Sequence, residues 1–220
     1  MGRQAGRHSQ LHFLITAGPT REYLDPVRYL SNASTGKMGY ACAASAIRRG
    51  HRVTLISGPT ACAKPAGAKV IPVVTCRQMR KAVLTAYPNC DCVIMTAAVS
   101  DYRPKRRSKT KIKSQKNRRA LELERTEDIL AELGQAKEKQ TLIGFALEDK
   151  APRQRASVKM TAKRLDIVVL NRPGAIGADT TDAQIMRPGG TWQRYDGISK
   201  RRLATILVKQ AEQLARKDRS

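Results

Sequence analysis

Apolar positions along this chain fall into two alternating rhythms. Short aliphatic runs, LHFLITA (11–17), HRVTLISG (51–58), AKVIPVVT (68–75), CDCVIMTAA (90–98), TLIGFA (141–146) and LDIVVLN (165–171), have the length and β-branched content of strands. Between most of them lie stretches whose small and apolar residues recur on a 3.6-residue face. GKMGYACAASAIRRG (36–50) closes on Arg48, Arg49 and a Gly50 suited to the residue after a helix end. TCRQMRKAVLTAY (75–87) offers Thr75 as N-cap and places Met79, Val83 and Tyr87 on one face. TEDILAELG (126–134) predicts a third helix starting near Thr126 with Gly134 after its last turn, and QRASVKMTAKR and SKRRLATILVKQAEQLARK predict two more.

Strand and helix thus alternate about six times. With right-handed crossovers, that implies an α/β domain of three layers, a mostly parallel sheet covered on both faces. Ligands are then expected at the carboxyl ends of the strands. Two regions break the rhythm. Residues 101–119, DYRPKRRSKTKIKSQKNRR, hold ten Lys or Arg against one Asp and predict an exposed, mobile basic loop. Residues 172–196 carry Gly and Pro around AQIMRP and TWQRY, which predict a β-hairpin extension. Residues 1–10 are basic and aperiodic, a flexible tail, which leaves 11–220 as one domain.

Composition changes the picture in three ways. Only 4% of residues are aromatic, so the core rests on aliphatic side chains, as parallel strands covered on both faces do. Cys42, Cys62, Cys76, Cys90 and Cys92 are odd in number and lack zinc-site spacing, and His8, His12 and His51 are scattered; these are reduced thiols and unpaired imidazoles, and no protein metal site is expected. No apolar run is long enough to span a membrane and the N-terminus lacks a signal-peptide core, so a cytoplasmic protein is expected. The formal charge of +24 points either to nucleic acid or to small substrates rich in phosphate.

Candidate chemistry sits where strands end. After the first strand comes GPTREYLDPVRYLSNASTGKMG, small and polar residues running into a helix near Gly36. Free amides at that helix end would cradle phosphate, while Gly36 and Gly39 could equally serve only to let the helix pack on the sheet. Ala97 and Ala98 close the strand CDCVIMTAA and leave room for a ligand against the backbone; Asp101 follows, and could bind a ribose, a metal-linked water or Arg103. In KIKS, Lys111 and Lys113 project to one face of an extended segment, able to neutralise charge on a triphosphate. Lys159 and Lys163, four apart on one helical face, could meet phosphates or form a solvated basic stripe.

The order of these blocks is more specific than any one of them. LITAGPTREYLDPVRYLSNASTGKMGY, IMTAAVSDYRP, KIKS, LIGFALE and KMTAKRLDIVVLN together closely resemble the bacterial-type phosphopantothenoylcysteine synthetase family, from about Leu11 to the final helix. The resemblance implies a Rossmann-like domain and an acid–amino-acid ligase acting in coenzyme A synthesis. In that reaction CTP, or another nucleoside triphosphate, and Mg²⁺ activate the carboxylate of 4′-phosphopantothenate as an acyl-nucleotide with loss of pyrophosphate, and the cysteine amine then displaces CMP. Most bacterial relatives fuse this ligase behind a flavin-dependent decarboxylase; the pattern here begins almost at the N-terminus, which implies the ligase half alone, no FMN, and a separate decarboxylase as a possible partner. By the same resemblance Asn32 holds the acyl oxygen, Arg28 supports that loop, Lys111 is the catalytic cation, and Ala98 stands beside the reacting group. Gly18, Ser34, Gly36, Ala97, Asp101, Lys111, Phe145, Lys159 and Lys163 are implied to line the nucleotide pocket, with Mg²⁺ held by phosphates and water. The family also implies a homodimer, for which the 172–196 hairpin is a candidate interface.

Ser114, GFALED and IGADTTDA depart from the family's K-x-K-K, GFAAET and FGSD-x-N patterns. Two rival readings are a nucleic-acid-binding protein using the basic loop on a Rossmann-like scaffold, which explains the charge directly, and a family member that binds nucleotide without ligating.

Overall fold

The computed structural model describes residues 10–113, 120–148, 151–171, 174 and 177–217. The expectations for the N-terminal tail up to residue 9, for Ser114 and for the rest of the basic segment up to 119 lie outside these residues. Among the described residues, eight strands form one sheet: β1 (His12–Ala17), β4 (Arg52–Ser57), β5 (Ala68–Pro72), β6 (Cys92–Met95), β9 (Thr141–Leu147), β10 (Ile167–Asn171), β11 (Thr180–Met186) and β12 (Gln193–Ser199). Their spatial order is β12-β11-β10-β9-β6-β1-β4-β5. Pairing from β5 through β10 is parallel, and the β11–β12 hairpin joins the β10 edge antiparallel, as the 172–196 region predicted.

Among the described residues five α-helices cover the sheet: α1 (Lys37–Arg48), α2 (Cys76–Ala86), α3 (Ile129–Gln135), α4 (Pro152–Ala162) and α5 (Lys200–Lys217). The period of two along each strand divides the core. Phe13, Ile15, Val53, Leu55 and Ile94 face α1 and α5, whereas Leu14, Ile56, Val93 and Leu142 face α2, α3 and α4. Cys42, Cys76, Cys90 and Cys92 are buried and free, packing as small hydrophobes; burial pushes the Cys42 and Cys90 thiols up to about 12. Among the described residues, no helix is long and apolar enough to cross a membrane.

Helix limits follow local chemistry. Thr75 caps α2, its hydroxyl accepting the Gln78 amide while Gln78 reaches back to the Thr75 amide. α3 starts at Ile129, not near Thr126, because the Asp128 carboxylate accepts the Ala131 amide as N-cap. Gly134 lies inside α3 and does not end it: a Cβ there would stand 2.2 Å from the Lys163 carbonyl oxygen, so glycine is what lets α3 approach α4.

Two short ribbons stand outside the main sheet: β2 (Arg21–Tyr23) with β3 (Tyr29–Ser31), and β7 (Tyr102–Pro104) with β8 (Leu123–Arg125). The second corrects the expectation of an unstructured loop from residue 101. β7 is held by cross-strand charge, since Arg103 pairs with Glu124 (2.7 Å) and Glu127 (3.1 Å) and not with Asp101.

Candidate active site

The sheet order reverses at β1: the chain runs from β1 to β4 and β5 on one side, then returns to β6 on the other. The crevice between the carboxyl ends of β1 and β6 is therefore the place where an open α/β sheet accepts a ligand. Its floor is main chain. Pro19 and Ala98 form a parallel bridge, the Ala98 amide donating to the Gly18 carbonyl (3.0 Å) and the Thr20 amide to the Ala98 carbonyl (3.2 Å). Thr16 and Thr20 brace it, their hydroxyls accepting the amides of Ala97 (3.2 Å) and Ser100 (3.0 Å). Gly18, at φ +74°, passes so near β4's end that a Cβ would meet the Gly58 carbonyl oxygen at 3.1 Å.

Asn32, directly after β3, reaches this floor, its Nδ2 donating to the carbonyls of Ala98 (3.2 Å) and Val99 (3.1 Å). Two carbonyl acceptors fix the amide's orientation, which leaves Oδ1 as the acceptor for a ligand's donor group. Ser31 Oγ donates to the Thr20 carbonyl at 2.7 Å, so two adjacent residues tie the ribbon to the floor.

On the other side stands the N-terminus of α1. Gly36 is its cap at φ +79°; no side chain caps this end and its first turn holds no acid. A Cβ on Gly36 would lie 3.1 Å from Thr60 Oγ1 and 3.3 Å from the Gly18 amide nitrogen. Ser34 Oγ accepts the Gly36 amide at 3.4 Å. A Cβ on Gly39 would fall 2.5 Å from the Ala17 Cβ and 2.8 Å from the Thr16 carbonyl oxygen. The two glycines therefore divide the roles left open by the sequence: Gly39 permits packing, and Gly36 brings a positive helix end beside Gly18. Lys37 crosses to the segment before β11, donating to the Gly177 carbonyl (3.0 Å) and Asp179 (2.7 Å).

The remaining cations form two groups. Arg28 Nη1 donates to Asp25 (3.2 Å) and to the carbonyl of Ile112 (2.8 Å), bringing the segment that carries Lys111 to the β2–β3 turn. Lys111 itself is exposed. Beyond β9, Lys159 donates to the Phe145 carbonyl at 2.6 Å and Lys163 pairs with Asp128 at 2.6 Å. They are partly buried and individually engaged, unlike a solvated stripe. Burial, then repulsion from Lys163, pushes the Lys159 ammonium below its usual value, against attraction from Asp128, Glu148 and Asp101. Asp101 is exposed; its carbonyl accepts the Thr126 amide at 2.9 Å and its carboxylate is within electrostatic reach of Lys159.

The fold thus gathers Gly18, Asn32, Ser34, Gly36, Ala97 and Ala98 around one strand mouth. Asp101, Phe145, Lys159 and Lys163 make a neighbouring group, and Lys111 is tied in through Ile112. Reading by sequence missed Thr16, Thr20 and Asp25. Only their positions, flanking a strand end in T-A-G-P-T and opening D-P-V-R, hint at them. Among the described residues, no group of three or more His, Cys, Asp or Glu could hold a metal.

Against known proteins, the family described as DNA/pantothenate metabolism flavoprotein C-terminal domain matches residues 8–214. The coenzyme A biosynthesis bifunctional protein CoaBC of Bacillus subtilis is 47% identical over 194 residues, covering 86% of this chain and 48% of that protein. The chain thus spans about half the length of that relative. A crystal structure of the C-terminal domain of a CoaBC superposes with a TM-score of 0.83 at 39% identity, covering 96% of this chain and 100% of that one. The Cab2 H337A mutant in complex with phosphopantothenate-cysteine shares the fold, with a TM-score of 0.76 at 16% identity over 96% of this chain and 89% of that one. A strand-mouth site, a match over nearly the whole chain and a superposition with a domain of the same kind agree: this chain belongs to the family of the DNA/pantothenate metabolism flavoprotein C-terminal domain.

Proposed function

We propose that this chain is a phosphopantothenate–cysteine ligase, joining 4′-phosphopantothenate and cysteine at the β1–β6 crevice through an acyl-nucleotide. The observation that carries the reading is the contact of Asn32 with the Ala98 and Val99 carbonyls beside an uncapped helix N-terminus. An amide group, small side chains and an anion-seeking helix end beside one strand mouth support it. In the first step a carboxylate oxygen of phosphopantothenate bonds to the α-phosphorus of CTP, and pyrophosphate leaves. In the second, the cysteine nitrogen bonds to the acyl carbon, a proton is released and CMP departs.

Both steps need alignment and positive charge more than a general base. Gly36 and the α1 amides suit the triphosphate, Ala97 and Ala98 admit the reacting group against the backbone, Asn32 orients the acyl end once its Nδ2 turns from a floor carbonyl to the acyl oxygen, and Lys111 supplies charge to the displacement. Gly18 and Ser34 shape the same mouth; Asp101, Phe145, Lys159 and Lys163 suit the nucleoside. Mg²⁺ carried on phosphate oxygens and water needs no cluster of protein carboxylates. Bound there, it would neutralise triphosphate charge.

Purified protein incubated with phosphopantothenate, cysteine, Mg²⁺ and each nucleoside triphosphate in turn is expected to release pyrophosphate with at least one of them, CTP first. Absence of product with all of them, together with RNA binding that weakens steeply with salt, would replace the ligase reading by a nucleic-acid-binding one.

A further inference from the structure

Asp25 has no exposed surface, although it lies in the turn of an outlying two-stranded ribbon. Its Oδ1 accepts the amides of Val27 and Arg28, both at 2.7 Å, and this alone satisfies the turn. Its Oδ2 is used differently, accepting the Ile112 amide at 3.1 Å and the Arg28 guanidinium at 3.2 Å. Arg28 Nη1 also donates to the Ile112 carbonyl at 2.8 Å. Both backbone polar groups of one residue in the K-I-K stretch are therefore held by a single Asp–Arg pair. A second tie runs from the Ser108 amide to the Leu24 carbonyl at 2.8 Å.

We infer that Asp25, acting with Arg28, is a positioning residue that docks Ile112 on the β2–β3 turn and so sets where Lys111 stands relative to Asn32. The inference rests on the ligase reading above. Between Lys105 and Lys113 the segment carries six Lys or Arg and Ile112 as its one large aliphatic residue, so it repels itself and has little apolar surface to anchor it. A buried carboxylate is tolerated only when its lone pairs are engaged, and here four donors engage them. Arg28 precedes Asn32 by four residues across β3, so clamp and amide are roughly 13 Å apart along the strand. A nucleotide carrying an acyl chain is long enough to meet groups at both ends of such a baseline.

The test compares Asp25→Asn with the wild type in the assay above, together with amide hydrogen exchange of the protein alone. Asparagine keeps one acceptor for the turn but sets an NH₂ against the Ile112 amide and Arg28. Expected are exchange at Ile112 faster by about tenfold or more, and kcat lower by about tenfold to a hundredfold with a smaller change in KM. The double variant Asp25→Asn/Lys111→Gln should be no slower than Lys111→Gln alone, because Asp25 acts through that lysine. Unchanged exchange, or losses that multiply in the double variant, would overturn the inference. Arg28→Met, on a half-exposed side chain, removes the donor to the Ile112 carbonyl and one of the four donors to Asp25 while leaving both turn bonds; the same readings are expected of it and decide the matter should Asp25→Asn not fold. A wild type that forms no product would sink the ligase reading and the catalytic part of this inference together, while the exchange result still decides whether Asp25 docks the segment.

Discussion

Lys111 and Asn32 are both exposed but differ in what they hold, Asn32 being bonded to the crevice floor, and that sets what each substitution should do. Lys111 is exposed, so Lys111→Gln is expected to leave the melting temperature unchanged while slowing product formation on the order of a hundredfold. Asn32→Ala removes two hydrogen bonds to the crevice floor and is expected to impair turnover too; a variant of either kind as fast as wild type would remove that residue from the mechanism. A separate residue-scale prediction concerns Glu212, buried on α5. It accepts from Arg49 and from His51 Nε2 (2.7 Å), while the Leu11 amide donates to His51 Nδ1 (3.2 Å), which makes Nε2 the ring nitrogen that donates to Glu212. Burial alone would raise the Glu212 carboxyl, but the Arg49 and His51 bonds outweigh it and hold the value below the ordinary 4.5. The stabilisation is thus complete above that range and lost as pH falls through the lower folded value. Urea titrations at several pH values should show Glu212→Gln weakest against wild type near neutrality, with the gap closing below about pH 4.5. Asn32 and Ala98 were legible as separate motifs because each sits at a turn or strand end. Asp25 was not, since D-P-V-R alone describes an ordinary turn and its second oxygen serves a residue 87 positions away.

At the scale of elements, α1 shows how one missing methyl positions a site. Gly39→Ala would press a Cβ into the Ala17 side chain and the Thr16 main chain, so α1 must shift away from β1. A loss of about 1–3 kcal/mol in denaturant unfolding is expected, with weaker triphosphate binding because the α1 N-terminus moves with it. Wild-type stability and affinity in that variant would mean the helix has slack there. The inner strands of the parallel sheet were readable because each holds four or more consecutive buried residues, most of them apolar. β2, β3, β7 and β8 were not. Each is three residues long, too short for a period, and holds its form through partners distant in sequence. Arg21 over the Tyr29 ring at 4.6 Å, the Tyr23–Tyr29 edge contact and Arg103 with Glu124 provide that support. The start of α3 was misplaced for a related reason: Thr126, Glu127 and Asp128 all suit a first turn, and only the Asp128 bond to the Ala131 amide decides which of them caps.

For the molecule as a whole, the exposed large apolar side chains have a distribution that the sequence could not display. Among the described residues, Val27 and Tyr29 sit on or beside one ribbon and Tyr102, Leu121 and Leu123 on or beside the other; Leu147 ends β9 and Val158 lies on α4, and none falls in the 172–196 hairpin. The homodimer that the family resemblance implies is therefore expected to form through the ribbons, not the hairpin. Sedimentation of Leu123→Glu, a half-exposed position, should report a smaller particle than wild type; an unchanged particle would return attention to the hairpin. Sheet order escaped the sequence as well, because alternation of strand and helix fixes parallel pairing but not which strand lies central.

The bridge between Pro19 and Ala98 bears on how the chain can vary over evolutionary time. Where a cavity is walled by peptide groups, exchanging one side chain for another does not erase its polarity. Only bulk can close it. Threonine or valine in place of Ala98 would crowd the strand mouth while leaving its peptide groups in place, so tolerated variation there should be graded by volume more than by hydrogen-bonding type.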